Sequence, residues 1–161
     1  MFNSLEKRIT MLEDIEAIKR LKALYCHLVD DAVAGDASKA LELVSLFTDE
    51  GWADFGDFGR FEKKDGLTLF FRDVVPGLLS YTAHMVHNPV IDIDGDRARG
   101  RWYFEVPSTL KAAGMAGWLQ GRYDEQFVKV DGRWLWLSIT ARFEYATPFD
   151  QGWAKVKMFS L

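Results

Sequence analysis

Apolar residues recur at spacings of three and four along residues 5–34. Ile9, Leu12, Ile15, Ile18, Leu21, Leu24, Tyr25, Leu28 and Val29 form the series, with Glu and Lys between them. That period predicts one long amphipathic helix, capped by Asn3 or Ser4 and stopped at Gly35. A shorter helix is predicted over 36–47, with Ala40, Leu41, Val44 and Phe47 on one face. Residues 51–62 carry three glycines among aromatics and acids, which predicts a short hairpin with Gly56-Asp57 near its tip. A third helix is predicted over 65–79, interrupted by Pro76.

From Thr82 the period changes to two. Residues 89–94 and 98–106 flank Asp94-Gly95-Asp96, and residues 118–130 and 133–145 flank Asp131-Gly132. Both read as hairpins, since Asp-Gly is a strong turn signal. The Ala- and Gly-rich stretch 107–117 between them reads as a flexible loop. On the last strand Leu135, Leu137, Ile139, Ala141 and Phe143 alternate with Trp134, Trp136, Ser138, Thr140 and Arg142. One parity is purely apolar and the other mixes tryptophan with polar groups, as expected of a sheet with a cavity on one face and a partner subunit on the other.

Helices first and antiparallel strands afterwards define an α+β class, with helices covering one face of a curved sheet. The length of 161 residues fits one domain over 1–161. Aromatic residues make up 14% of the chain, and so many rings need a thick core, a lined cavity or a subunit interface. A homodimer or homotrimer packed through the outer sheet face is therefore expected. The net charge of −4 and the lack of a basic stripe argue against nucleic-acid binding. The single cysteine, Cys26, excludes an intramolecular disulfide. No signal-peptide order and no apolar run near the ~18 residues of a membrane span occurs, so a cytoplasmic location without membrane contact is expected.

Candidate chemistry centres on Asp30, at the end of the first helix, and His84, in the run Tyr81-Thr82-Ala83-His84-Met85-Val86-His87-Asn88. A carboxylate that orients an imidazole makes a general base working near neutral pH without metal or cofactor. Spacing alone also offers Asp30 a nearer partner in His27, three residues earlier on the same helix face. Tyr25 and Asp30 are five residues apart, about 140° around a helix, so they share a pocket only if it wraps the helix. His87 points opposite to His84 in a regular strand. Arg142 is either a ligand for an acidic or carbonyl group or an exposed cation, and Glu105 is a candidate pocket acid in an apolar strand. No zinc-like ligand spacing and no phosphate-binding glycine loop is present.

Several motifs resemble one family across nearly the whole chain. Leu12-Glu13-Asp14-Ile15-Glu16-Ala17-Ile18-Lys19, with Tyr25 and Asp30, resembles the opening of the SnoaL-like branch of the NTF2-like superfamily. So do His84-Met85-Val86-His87-Asn88-Pro89, Gly100-Arg101-Trp102-Tyr103 and Asp131-Gly132-Arg133-Trp134. Within that branch the chain is most similar to bile acid 7α-dehydratases, and more distantly to scytalone dehydratase, hexachlorocyclohexane dehydrochlorinase and SnoaL-type polyketide cyclases. The resemblance implies a cone-shaped α+β barrel with N-terminal helices on a strongly curved, mostly antiparallel sheet enclosing an apolar pocket. It implies cofactor-independent chemistry: His84 as proton acceptor, Asp30 as its carboxylate partner and Tyr25 as acid or hydrogen-bond donor. Phe55 stands where the bile acid enzymes carry a second Tyr, and Val106 where they carry an Asp, so a different leaving group is assisted.

The expected activity is that of a dehydratase, isomerase or cyclase acting on an apolar cyclic molecule of steroid-like, polyketide or aromatic type. Phe55, His87, Arg142, Trp102, Glu105 and Trp136 are the expected substrate contacts. The rival expectation is a non-catalytic ligand-binding or accessory subunit, as in ring-hydroxylating dioxygenases, because a fold does not fix a function. The two differ in a visible way. Catalysis needs Asp30 and His84 within about 3.2 Å at a pocket, whereas an accessory domain needs only a filled core.

Overall fold

The computed structural model describes residues 4–158. Its long first helix, α1 (Ser4–Val33), is followed by α2 (Ala37–Ser45). Asn3, one of the two expected caps of α1, lies outside the described residues. Gly35, at φ 115°, takes the chain out of α1 in a conformation that favours glycine. Asp36 then caps α2, its side chain accepting from the Ser38 backbone N–H. β1 (Phe47–Asp54) and β2 (Arg60–Glu62) form the first hairpin around a single 3-10 turn over Gly56–Phe58.

The third helical run differs from its expectation. It consists of α3 (Lys63–Thr68), a π-helical stretch (Leu69–Val74) and α4 (Val75–Leu78), and Pro76 does not interrupt it. A proline ring collides with the carbonyl four residues back in a regular α-helix. The wider π-turn just before Pro76 relieves that collision, and such turns recur at functional sites. Here the stretch carries Phe70 and Phe71 inward, both buried.

β3 (Leu79–Thr82) and β4 (Met85–Asp94) lie end to end along β5 (Arg97–Leu110). β6 (Met115–Val130) and β7 (Arg133–Pro148) complete the sheet, in the order β2-β1-β7-β6-β5-β3, with β4 also on β5. The pairings among these strands are antiparallel except β1 with β7. The stretch 107–117 is not a flexible loop: Leu110 pairs with Met115, and the strands run up to a tight turn. Alanine and glycine there weakened the strand signal, but the fourteen-pair ladder between β5 and β6 overrides local preference.

Two register shifts in β7 overturn the simple alternation. Trp136 pairs with Phe127 and Ser138 with Gln126, so Leu137 is the extra residue of a bulge; a second shift falls opposite Gln120/Gly121. Trp134 and Trp136 therefore join Ile139 and Ala141 in the core, all four buried. Ser138, Thr140 and Arg142 border the outer face, where they share a shallow groove with Arg99, Asp124 and Gln126. That face is not the apolar surface expected: Arg99 is paired with Asp124 through two guanidinium nitrogens, and Arg122 sits 4.7 Å over the Tyr103 ring.

At the second bulge, a Cβ on Gly121 would lie 2.1 Å from the Arg142 carbonyl oxygen and 2.8 Å from the Phe104 ring. Backbone cannot yield cheaply at a core strand crossing. Gly121→Ala is expected to cost about 1–3 kcal/mol or more, read as a lower midpoint in urea unfolding.

Candidate functional site

α1 crosses the concave face of the curled sheet, and the π-containing helical run closes one end. Between them lies a cavity of about 60 Å³, several times the roughly 10–15 Å³ one water needs. Its wall is almost entirely apolar, with Val29, Phe55, Phe70, Phe71, Val106 and Leu119 among the lining residues. The polar groups that reach it are Tyr25, His84, Ser108 and Tyr123. An apolar cavity of this kind favours an apolar occupant over water.

His84 occupies the step between β3 and β4, where the chain leaves regular strand for two residues. Its backbone N–H donates to the carboxylate of Asp30, at 3.0 Å to Oδ2 and 3.2 Å to Oδ1. Its ring Nδ1 lies 2.7 Å from Asp30 Oδ1. An ionised carboxylate only accepts, so Nδ1 carries the proton and Nε2 carries the lone pair. The Asp30 side chain is 26% exposed and that of His84 11%, so the pair is sheltered without being sealed. His27 is exposed, and the competing His27–Asp30 pair does not form.

Tyr25 presents its ring edge-on to His84, with centroids 5.9 Å apart at 90°, and packs similarly on Tyr123 and Trp136. Burial, the largest cause, holds the Tyr25 phenol far above its ordinary range; the facing Tyr123 hydroxyl only partly opposes it. Tyr25 therefore remains a protonated donor at all ordinary pH values. Burial likewise pushes the adjacent Cys26 thiol up to about 11, with Lys22 opposing. Since the thiolate is the reactive form, native protein is expected to resist iodoacetamide at neutral pH, and to be labelled at Cys26 only after unfolding, as read by mass.

Of the other residues expected at the site, Phe55 lines the cavity and stacks on Phe70 at 4.4 Å. Val106 also lines it. Five expected contacts do not. His87 lies on the outer face, stacked at 6.1 Å on Tyr103, because odd spacing from His84 turns it outward. Glu105 and Arg142 face outward for the same reason of parity. Trp102 and Trp136 are buried in the core beside the cavity and do not line it. The bulge at Leu137 moves Trp136 there.

Sequence reading missed Ser108, Tyr123 and the pair Lys22–Glu125. Ser108 Oγ is 3.3 Å from Thr82 Oγ1 at the buried β3–β5 junction. Lys22 Nζ donates to Glu125 Oε1 at 2.5 Å with both side chains fully buried. Glu125 belongs to an inward alternation, Tyr123-Glu125-Phe127, that a strict inside/outside reading of β6 would have flagged. Among the described residues no His, Cys, Asp and Glu are grouped to hold a metal ion, and no helix is long and apolar enough to cross a membrane.

A curled sheet capped by three helices, with an imidazole–carboxylate pair opening on an apolar cavity, defines a class of small-molecule pocket domains. The chain matches the SnoaL-like domain family over residues 10–140, and it belongs to that family, within the NTF2-like superfamily. A hexachlorocyclohexane dehydrochlorinase from Novosphingobium barchaimii is similar at 18% identity and TM-score 0.78, over 88% of this chain and 94% of that one. A scytalone dehydratase-like protein from Novosphingobium aromaticivorans is similar at 22% identity and TM-score 0.78, over 88% and 91%. An aromatic ring hydroxylase-like protein from a Novosphingobium aromaticivorans strain shares 25% identity at TM-score 0.74, over 85% and 94%.

Proposed function

We propose that the protein is a cofactor-independent lyase of the eliminating type, acting on a neutral, apolar cyclic molecule. The observation that carries this reading is the 2.7 Å contact between Asp30 and His84 Nδ1 at the edge of an otherwise apolar cavity. His84 Nε2 removes a proton from a carbon of the substrate. The electron pair of that C–H bond forms the new C=C bond, and the leaving group departs from the adjacent carbon with its own bonding pair. Asp30 holds the neutral tautomer beforehand and stabilises the imidazolium afterwards. Tyr25 donates a hydrogen bond to the substrate oxygen or the departing group. If hydroxide leaves, the imidazolium returns the proton and water is the product. If chloride leaves, the proton passes to solvent.

Two similar structures support the choice of reaction class: they are described as a hexachlorocyclohexane dehydrochlorinase and a scytalone dehydratase-like protein. Both names denote elimination from a ring. The apolar wall, which no cation or second acid among the described residues lines, suits a neutral substrate better than an anionic one. The accessory-subunit alternative finds support in the ring hydroxylase-like neighbour, but gives no account of why Nδ1 is engaged by a carboxylate. Incubation with hexachlorocyclohexane isomers and with scytalone tests the reading, following chloride release and water loss. Turnover of either supports it. A protein that binds such rings without eliminating from any of them, or exchanging their ring protons with solvent deuterium, is an accessory domain instead.

Self-association through the outer sheet face is part of the same proposal, with charge in place of the expected apolar contact. Arg99, Arg101, Arg122 and Arg142 alternate there with Asp92, Asp124 and Glu144, an arrangement that a second copy can complement. Sedimentation at micromolar concentration is expected to show a dimer or trimer that weakens with salt. A monomer at low salt would refute it.

A further inference from the structure

Lys22 and Glu125 form a buried ion pair that the proposed reaction does not use. Both side chains are fully buried, and neither reaches the cavity. A buried ion pair of this kind is often no more stabilising than two apolar side chains of similar size, so folding alone does not account for it. Its position is informative. Lys22 Nζ lies 4.1 Å from the centroid of the Tyr25 ring and 3.6 Å from that of Tyr123, the two phenols of the cavity wall. The ammonium is thus held over both rings, and Lys22 does not itself line the cavity.

A cation on the face of an aromatic ring is bound by its π-electrons. It also draws electron density from the ring, and in a phenol that density comes in part from the oxygen. The O–H becomes a stronger hydrogen-bond donor without being ionised. Glu125 anchors the ammonium through Oε1. The indole N–H groups of Trp102 and Trp136 approach the carboxylate without reaching hydrogen-bond geometry, and Oε2 is unpartnered. The side-chain hydrogen bond from Lys22 to Glu125 Oε1 fixes where the charge sits.

We propose that Lys22 is a positioning residue for the site. Locked by Glu125, its ammonium fixes the Tyr25 and Tyr123 rings and polarises their hydroxyls, Tyr123 donating to the Tyr25 oxygen and Tyr25 toward a ligand oxygen or leaving group. The proposal rests on the reading of the cavity as the site, and it concerns the phenols alone, so it can be tested with no substrate present.

The test compares wild type, Lys22→Arg and the double variant Lys22→Met/Glu125→Met by NMR of protein carrying 13C-labelled tyrosine. The ring Cζ and hydroxyl-proton resonances of the five tyrosines are read in each. In the double variant the Tyr25 and Tyr123 hydroxyl protons are expected to move upfield with a matching Cζ change. Tyr81, Tyr103 and Tyr145 are expected to stay in place, and Lys22→Arg to keep the wild-type positions. Tyr25 and Tyr123 resonances unchanged in a folded double variant overturn the proposal. So does a Lys22→Arg spectrum displaced as far as that of the double variant, since shape rather than charge would then be responsible. If the double variant does not fold, Lys22→Gln/Glu125→Gln gives the same charge-free comparison. Lack of elimination activity in wild type, with the tyrosine shifts as expected, would sink the proposed reaction and leave this coupling intact.

Discussion

His84→Ala is expected to lower kcat/KM by about 10²–10⁴-fold for any substrate the protein eliminates from, the usual contribution of a positioned general base. The fold should not change, because His84 contacts Asp30 mainly through its ring Nδ1 and through a backbone N–H that alanine retains. Far-ultraviolet circular dichroism and the urea midpoint provide that control. Asp30→Asn should be nearly as damaging for a different reason. An amide can present its NH₂ to Nδ1, which stabilises the tautomer whose Nε2 bears the proton and removes the base. Tyr25→Phe is expected to cost about 10²–10³-fold, the scale of losing one donor aimed at developing charge. Turnover by His84→Ala within a few-fold of wild type would exclude the assignment.

Lys22→Met is expected to cost stability more than any surface change in this chain, by about 3–5 kcal/mol, because it strands a buried carboxylate. The loss should depend on pH with a definite sign. Burial is the largest influence on Glu125 and raises its proton affinity above the ordinary carboxylate range; Lys22 is the largest opposing influence. Without Lys22, burial acts unopposed and the folded-state value rises further. A carboxyl raised in the folded state relative to the unfolded one contributes stability that is fully present below the unfolded value. That stability is lost as pH climbs toward the folded value. The Lys22→Met deficit should therefore be smallest near pH 4, about where an unfolded Glu titrates, and should grow toward pH 8. Urea unfolding of both proteins at the two pH values measures it, and an equal deficit at both would show that Glu125 is not the cause. The double variant Lys22→Met/Glu125→Met should recover most of the stability.

Periodicity carried much of the fold, and the places where it failed share a cause. α1 and α2 were legible because most of each apolar stripe is buried, as at Ile18, Leu21, Tyr25 and Leu28 and at Ala40 and Val44, although Ile9, Leu12 and Leu41 stay exposed, and Gly35 supplied the stop. The hairpin at Asp131-Gly132 was legible from its turn chemistry, with Asp131 at φ 49° and Gly132 at φ 77°. The strand over 107–117 was not, because its order comes from pairing across β5 and β6 rather than from its own residues. Pro76 misled for a related reason: a proline ends an α-helix, but a π-turn admits it, and only packing of Phe70 and Phe71 against the core makes that turn worthwhile.

The site divides along the same line. Sequence determined that two carboxylates, Asp30 and Asp31, stand near the end of the first helix, that His84 starts the strand-rich half, and that Asp30 and His84 resemble the site motif of SnoaL-like proteins. It left Asp30 two partners. The tertiary structure decided between them, because His27 turns to solvent while the step between β3 and β4 brings the backbone and ring of His84 onto the same carboxylate. It also decided which aromatics face the cavity: each one-residue bulge shifts the inside–outside phase of everything beyond it, and no local pattern announces a bulge. Lys22 and Glu125 are separated by 103 positions in the chain, and the alternation of β6 that points Glu125 inward gives no sign of its partner. Only the closing of the sheet over α1 buries them together, since a charge survives in a core where its partner arrives from elsewhere in the fold.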